Sequence, residues 1–300
     1  MLLLSAGALC ACSSGGGVSQ PDVPEPPAPQ GKMPINISTS VSAVEDTRVT
    51  DYAFEAGDAV GVYVVNRGAD GSATPLKAQG NHVDNMRFTY NGTWAAASPV
   101  YWLDNETHAD FYLYYPYKAS VADVGAMAVT LAADQSTETA YKAGDVVVGS
   151  ALNVAPTEKA VMINARHVMS QMFITLVPGN GFTAESLAAA DVAVKVNGVK
   201  TEATVNLADG TVAATGSAAS VTHLFIDGAY KALIVPQSVA EGNLITVTVD
   251  GRDFNLKKAF TFVSGKRHRF TVTLSKTSSG INVTIGQWED DGTDNGGVAE

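Results

Sequence analysis

The sequence predicts an all-β protein, two antiparallel β-sandwich domains in tandem, on three observations. Short runs rich in β-branched and aromatic residues recur along the body: "AVGVYVV" (59–65), "DFYLYY" (110–115), "QMFITLV" (171–177), "ALIV" (232–235), "LITVTV" (244–249) and "RFTVTL" (269–274). Turn residues bound them, with Asn197-Gly198, Asp209-Gly210 and Asp250-Gly251 placed as tight hairpin turns, since both positions of such a turn take positive φ. No alternation of strand with long helix accompanies them, as a parallel α/β sheet would require.

Composition sets the outer limits. With 46% hydrophobic and 16% charged residues the chain reads as folded, and 300 residues can bury a sizeable core in one large or two ordinary domains. The formal net charge of -11 argues against nucleic acid, whose phosphates demand a basic surface. After the first residues, no apolar run reaches the roughly 18 residues that a membrane-spanning helix needs.

Both cysteines, Cys10 and Cys12, lie in the opening stretch, so no disulfide framework can staple the body. The run before them, Met1 to Leu9, is apolar and ends among small residues, which suits a secretory signal and is too short to span a bilayer. Leu9-Cys10-Ala11-Cys12 resembles a lipobox, although no Lys or Arg precedes the apolar run. On that reading residues 1–11 are a lipoprotein signal peptide, Cys10 leaves with it, and Cys12 becomes the lipidated first residue. Two or three acyl chains on one residue suffice for stable anchoring. Residues 12–34 follow as a tether, first Gly/Ser-rich and flexible, then proline-rich and extended in "QPDVPEPPAPQGKMP".

The body begins with a strand. Ile35, Ile37, Thr39 and Val41 alternate with Asn36, Ser38, Ser40 and Ser42, the pattern of a half-buried strand. "VPGNGF" (177–182) is the turn-rich break that divides an N-terminal sandwich, 35–178, from a C-terminal one, 179–288, with an acidic tail at 289–300. "TAESLAAADV" from Thr183 has an N-cap and room for one or two helical turns.

Several stretches in order resemble the fimbrillin family, lipoprotein subunits of type V fimbriae on Gram-negative anaerobes. "FEAGDAVGVYV" (54–64), "PVYWLDNETHADFYLYYPY" (99–117), "RHVMSQMFITL" (166–176), "LIVPQ" and "FTVTLSKTSSGINVTIGQW" ending at Trp288 carry the resemblance. It implies two transthyretin-like sandwiches, export to the outer membrane as a lipoprotein, adhesion, and assembly by strand exchange with other fimbrial subunits. An arginine-specific protease removes an N-terminal strand in such shaft subunits, and a neighbour's strand fills the groove. Under the resemblance Arg48 is the candidate processing site, with Ile35, Ile37, Thr39 and Val41 on the displaced strand. Arg48 equally suits a surface connector. The alternating "GINVTIGQW" (280–288), with Ile281, Val283 and Ile285 inward, is the candidate donor strand, or simply the last strand of the second sandwich.

Catalytic and metal signals are weak. His82, His108, His167, His223 and His268 are scattered without cysteine partners or helical ligand spacing, which argues against a zinc site. His167 fits a buried, hydrogen-bonded core residue. No G-x-S-x-G, H-E-x-x-H or P-loop occurs, and Glu289, Asp290, Asp291 and Asp294 miss the spacing of a calcium loop. Neither a cofactor nor an enzymatic activity is expected. The aromatic stretch around Trp102 and Phe111–Tyr115 supports a rival reading. Along that strand Phe111, Leu113 and Tyr115 face one way, while Tyr112 and Tyr114 face the other. Trp102, Tyr112 and Tyr114 could stack on sugar rings in a glycan-binding outer-membrane lipoprotein of a nutrient-uptake system.

Overall fold

The structure is a computed structural model that describes residues 32–41, 54–277 and 280–285. In chain order the first half gives β1 (Ile37–Val41), β2 (Ala59–Asn66), β3 (Val83–Tyr90), β4 (Trp94–Ala96), β5 (Ala109–Tyr115), β6 (Met127–Thr130), helix α1 (Glu138–Ala143), β7 (Val147–Val154), β8 (Val161–His167) and β9 (Ser170–Pro178). Seven of these strands form one sheet in the order β1-β8-β7-β5-β2-β3-β4. Its pairs are antiparallel except for β1, which lies parallel to β8 with Ile37 beside Val161 and Val41 beside Ala165.

The middle of this sheet, β2 and β5, is buried on both faces. Val60, Val62 and Val64 join one core cluster with Phe111 and Leu113, while Tyr63 and Val65 join another with Tyr112 and Tyr114. Two covered faces explain why β2 is an unbroken apolar run rather than an alternating one. Gly61 makes the second face possible, because a Cβ there would lie 2.2 Å from the Tyr114 ring. Tyr63 contributes a different signal. Its hydroxyl is buried and has no hydrogen-bond partner among the described residues, so burial pushes its pKa up. Tyr63→Phe removes a desolvated hydroxyl and keeps the ring. It is expected to leave the urea midpoint unchanged or raise it, whereas a loss above about 1 kcal/mol would reveal a hidden partner for that hydroxyl.

The second half gives α2 (Ala184–Ala189), β10 (Val192–Val205), β11 (Val212–Thr222), β12 (Leu224–Ile226), β13 (Ala229–Ile234), β14 (Gln237–Val239), β15 (Asn243–Val249), β16 (Arg252–Lys257), β17 (Phe260–Phe262), β18 (Arg267–Thr277) and β19 (Gly280–Ile285). One sheet runs β11-β10-β15-β16 and another β12-β13-β9-β18-β19, while β14 and β17 form a ribbon. The two larger sheets share a core built on Met172, Ile174, Val194, Val247, Phe254 and Phe270. α2 starts at Thr183, whose side chain accepts from Ser186 N in a capping box, as its sequence predicts. The sequence reading passed over α1, six residues long and capped by Thr137.

Long-range pairings cross the expected division at 178/179. β9 lies between β13 and β18, parallel to the latter, and β6 pairs with Glu202–Val205 of β10. Gln135 adds a side-chain rung, accepting from Leu233 N at 2.8 Å and donating to Leu233 O at 2.9 Å. A cut at 178/179 therefore separates β9 from both of its neighbours. At the other end Met33 and Pro34, assigned by composition to the tether, are already bonded: Trp102 N donates to Met33 O at 2.9 Å, and Pro34 bridges Tyr101.

The turn signals divide. Asp250 and Gly251, at φ +47° and +78°, join β15 to β16 as a two-residue turn. Asp209-Gly210 lies in the loop between β10 and β11. Asn197-Gly198 corrects its hairpin prediction: β10 runs straight through it with a register shift against β11. Positive φ at Gly198, +72°, serves a bulge as well as a turn.

Candidate functional site

The segment that begins the described body is a strand held at a sheet edge. Ile35 N donates to Val100 O at 2.9 Å, and Val161 N donates to Asn36 O at 2.8 Å. Ile35 and Ile37 are buried, at 4% and 5% exposure, whereas Asn36 and Ser40 face water. Thr39 is half-buried and accepts the Trp94 indole N–H at 3.1 Å, and Val41 is half-buried at the strand's end. The alternation read from the sequence therefore holds. Among the described residues β1 has one strand neighbour, β8, so withdrawing it leaves the rest of the sheet paired. It would bare the backbone groups of Val161–Ala165 and a trough in the cluster that contains Val62, Trp102 and Ile163.

β19 is the matching edge at the other end of the chain. Among the described residues it pairs with β18 alone, setting Ile281 beside Lys276, Val283 beside Leu274 and Ile285 beside Val272. Cys12 and Arg48 lie outside the described residues, Arg48 in the span between Val41 and Phe54.

The structure overturns the sugar-stacking assignment. Trp102, Tyr112 and Tyr114 are 2%, 9% and 0% exposed, so no ring face is open to a sugar. Trp102 packs edge-on against Phe111 and donates its indole N–H to Thr157 O at 3.2 Å. Tyr114 donates to Asn85 Oδ1 at 2.7 Å, and burial holds its pKa up at about 12. Aromatic residues crowd here because a sheet covered on both faces needs large side chains on both.

Where β1 and β8 end, a cavity of about 380 Å³ opens toward the sheet that contains β9, β13 and β18. Val41, Tyr115 and His167 line it on the β1 side. His167 has the hydrogen bond expected of it, Nδ1 lying 2.7 Å from Asp145 Oδ1, but it is half-buried at the cavity wall and not a buried core residue. The near wall is acidic, with Glu55, Asp58, Glu138 and Asp145. Lys142 bonds Glu55 at 2.9 Å, and Tyr115 donates to Asp58 at 3.1 Å. The opposite wall carries Lys231, Lys266 and Arg267 with Asp227 among them. Lys231 lies 3.8 Å from Asp227, and Arg267 donates to Gln171. Sequence reasoning missed this cavity, because its lining is drawn from Val41 to Arg267 with no local signature. No group of three or more His, Cys, Asp or Glu side chains among the described residues is placed to hold a metal ion.

Comparison with known proteins agrees with this architecture. The model of the "Fimbrillin-like" family matches residues 47–288. A protein of Bacteroides uniformis named "Putative fimbrium subunit Fim1C" is 26% identical over 288 residues, covering 91% of this chain and 90% of that protein. The crystal structure of "a putative cell adhesion protein" from the same species superposes with a TM-score of 0.63 at 23% identity, over 87% of this chain and all of that one. A second, from Bacteroides ovatus and described in the same words, gives 0.68 at 18% identity over 87% and 98% of the two chains. Those likenesses show a common fold, and the family match spans most of the sequence. The chain belongs to the fimbrillin-like family.

Proposed function

We propose that this protein is a fimbrial subunit that is displayed on the cell surface, assembles by strand exchange and serves adhesion to host or bacterial surfaces. On this reading it is no enzyme. Lipid on Cys12 anchors it in the outer membrane, and residues 12–34 hold the body clear of the surface. The two halves form tandem transthyretin-like sandwiches that share β6 and β9. The names of the Bacteroides uniformis relative and of the two solved neighbours support a fimbrial and adhesive role.

The observation that carries the reading is β1, an edge strand with one strand neighbour among the described residues, which buries Ile37 and follows directly on the buried Ile35. Such a strand can be withdrawn without unpairing the others, and its absence offers both the backbone groups and the side-chain pockets that β-augmentation uses. Cleavage after Arg48 frees it, and the segment from Gly280 to Trp288 of another subunit takes its place. Digestion with an arginine-specific protease should give a new N-terminus at Val49 and detergent-resistant ladders on a gel. Arg48→Gln should block both. Ladders that form with Arg48 intact would overturn the processing step, and no assembly under any condition would overturn strand exchange.

A further inference from the structure

β8, the strand beside β1, runs almost directly into β9: it ends at His167, and β9 starts at Ser170. β9 then lies parallel to β18 in unbroken register, from Gln171 beside Arg267 to Pro178 beside Leu274. β18 in turn leads to β19 and the C-terminal segment. The shortest bonded route from β8 to that segment therefore crosses one parallel strand pair. Residues 179–266, which hold β10 to β17, form a loop that this pair closes at its base.

The pair is reinforced at both ends and on both faces. Before its first rung, Gly265 N donates to Met169 O at 3.0 Å and Ser264 Oγ to Val168 O at 2.9 Å. After its last, Gly179 N donates to Leu274 O at 2.7 Å. On one face Met172, Ile174, Phe270 and Val272 are buried in the core that the two larger sheets share. On the other, the Arg267 side chain donates to Gln171, and the Arg269 guanidinium lies 4.8 Å from the ring of Phe173, its register partner. Core and guanidinium together keep water from the rungs, and a hydrogen bond that water cannot replace is costly to break.

Direction decides what such a pair can bear. Because the strands are parallel and in register, the N-terminal end of β9 and the C-terminal end of β18 lie at opposite ends of the pair. Tension applied at those two points runs along the strands and loads every rung at once, since parallel rungs are evenly spaced. Tension applied at one end of the pair would open the rungs singly. On the strand-exchange reading a neighbour's strand holds β8, and the subunit's own C-terminal segment holds the next subunit. Resting on that reading, we propose that β9 and β18 form a mechanical clamp that carries the tension of the fibre and shields residues 179–266 from it. The sheet β11-β10-β15-β16 then stays folded under load. The β6–β10 pairing and Gln135 also join the two halves. Both bond residues inside 179–266, so neither can hold that loop shut once β9 and β18 part.

Pulling on single molecules of the full chain tests the clamp without any assembly. Cys10 and Cys12, the only cysteines, are replaced by serine, and new cysteine pairs serve as handles. Met162→Cys on β8 and Lys276→Cys on β18, both at exposed positions, load the pair from opposite ends. Val177→Cys and Lys276→Cys, also exposed, load it from one end and release nearly the same loop. The opposite-end handles should give a rupture force at least about double that of the one-end handles, because forced unfolding follows the barrier to unfolding along the loaded direction. Rupture should release the loop in one step of roughly 300 Å, its extended length. Equal forces for the two handle pairs overturn the clamp, as does release of the loop in several smaller steps. A weak clamp in a protein that forms ladders after cleavage removes this proposal and leaves strand exchange standing. A strong clamp in a protein that never assembles removes strand exchange, and the tension with it.

Discussion

Replacing Arg67 with methionine is expected to destabilise the protein by about 3–5 kcal/mol, the usual cost of stripping one partner from a buried ion pair. Asp110 is 1% exposed at the start of β5, and its Oδ1 accepts from Arg67 Nε at 2.8 Å. The same oxygen accepts from Asn153 N at 2.6 Å. Asn153 is in a left-handed conformation, φ +56°, where β7 shifts register against Ala109–Phe111. The carboxylate thus satisfies a bulge that the sheet cannot satisfy itself, and Arg67 balances its charge. Without the guanidinium, an uncompensated carboxylate remains among Val65, Tyr112 and their neighbours. Urea unfolding of Arg67→Met, Asp110→Leu and the double variant separates the contributions. The double variant should recover a large part of the Arg67→Met loss, since a charge that is absent needs no partner, but it should not reach the parent because Asn153 N stays unbonded. A loss below about 1 kcal/mol for Arg67→Met would mean that water reaches Asp110 and that the pair behaves as a surface bridge.

Much of this architecture was legible in the sequence, because local pattern and local structure obey the same period. The apolar runs at 59–65, 110–115, 171–177, 244–249 and 269–274 all became strands, and Thr183 became the N-cap of α2. The alternation at Ile35 and Ile37 correctly gave the buried face of the segment that runs into β1. What failed was information about partners. Nothing within "QMFITLV" says that it pairs with Tyr230–Ile234 and Arg267–Leu274 rather than with the strands before it. Asn197-Gly198 permits positive φ, but whether that ends a strand or bulges it depends on β11 continuing alongside. The aromatic cluster failed for a related reason. Period-two alternation separates the two faces of β5, and only tertiary packing decides that both are covered. The cavity lay further still from view, since it is assembled from both halves of the chain.

Stability should fall as pH drops from about 6.5 toward about 4, and His223 is the group that sets this window. The residue is 4% exposed between β11 and β12, and its backbone and Nδ1 face the Val194 carbonyl at 3.0 Å and 3.2 Å. Nδ1 therefore carries the proton and donates it, while Nε2 is buried without a partner among the described residues. A second proton on that ring would be an unpaired charge in the core, so burial pulls the pKa from 6.5 down to about 4. The sign follows from the proton count. Below pH 6.5 the unfolded chain takes up a proton that the folded chain refuses, so acid favours unfolding. Above 6.5 both states are neutral and the contribution is complete. Each unit between the two values costs about 1.4 kcal/mol, for a total of about 3 kcal/mol. The depressed carboxylates Asp70, Asp104, Asp134 and Asp209 lose their hydrogen bonds only at lower pH. His223→Phe keeps the ring volume and removes the titration, so its unfolding free energy should decline less steeply between pH 6.5 and 4 than that of the parent. Parallel slopes for the two proteins would show that the ring is protonated in the folded state, and hence that Nε2 has found water or an acceptor.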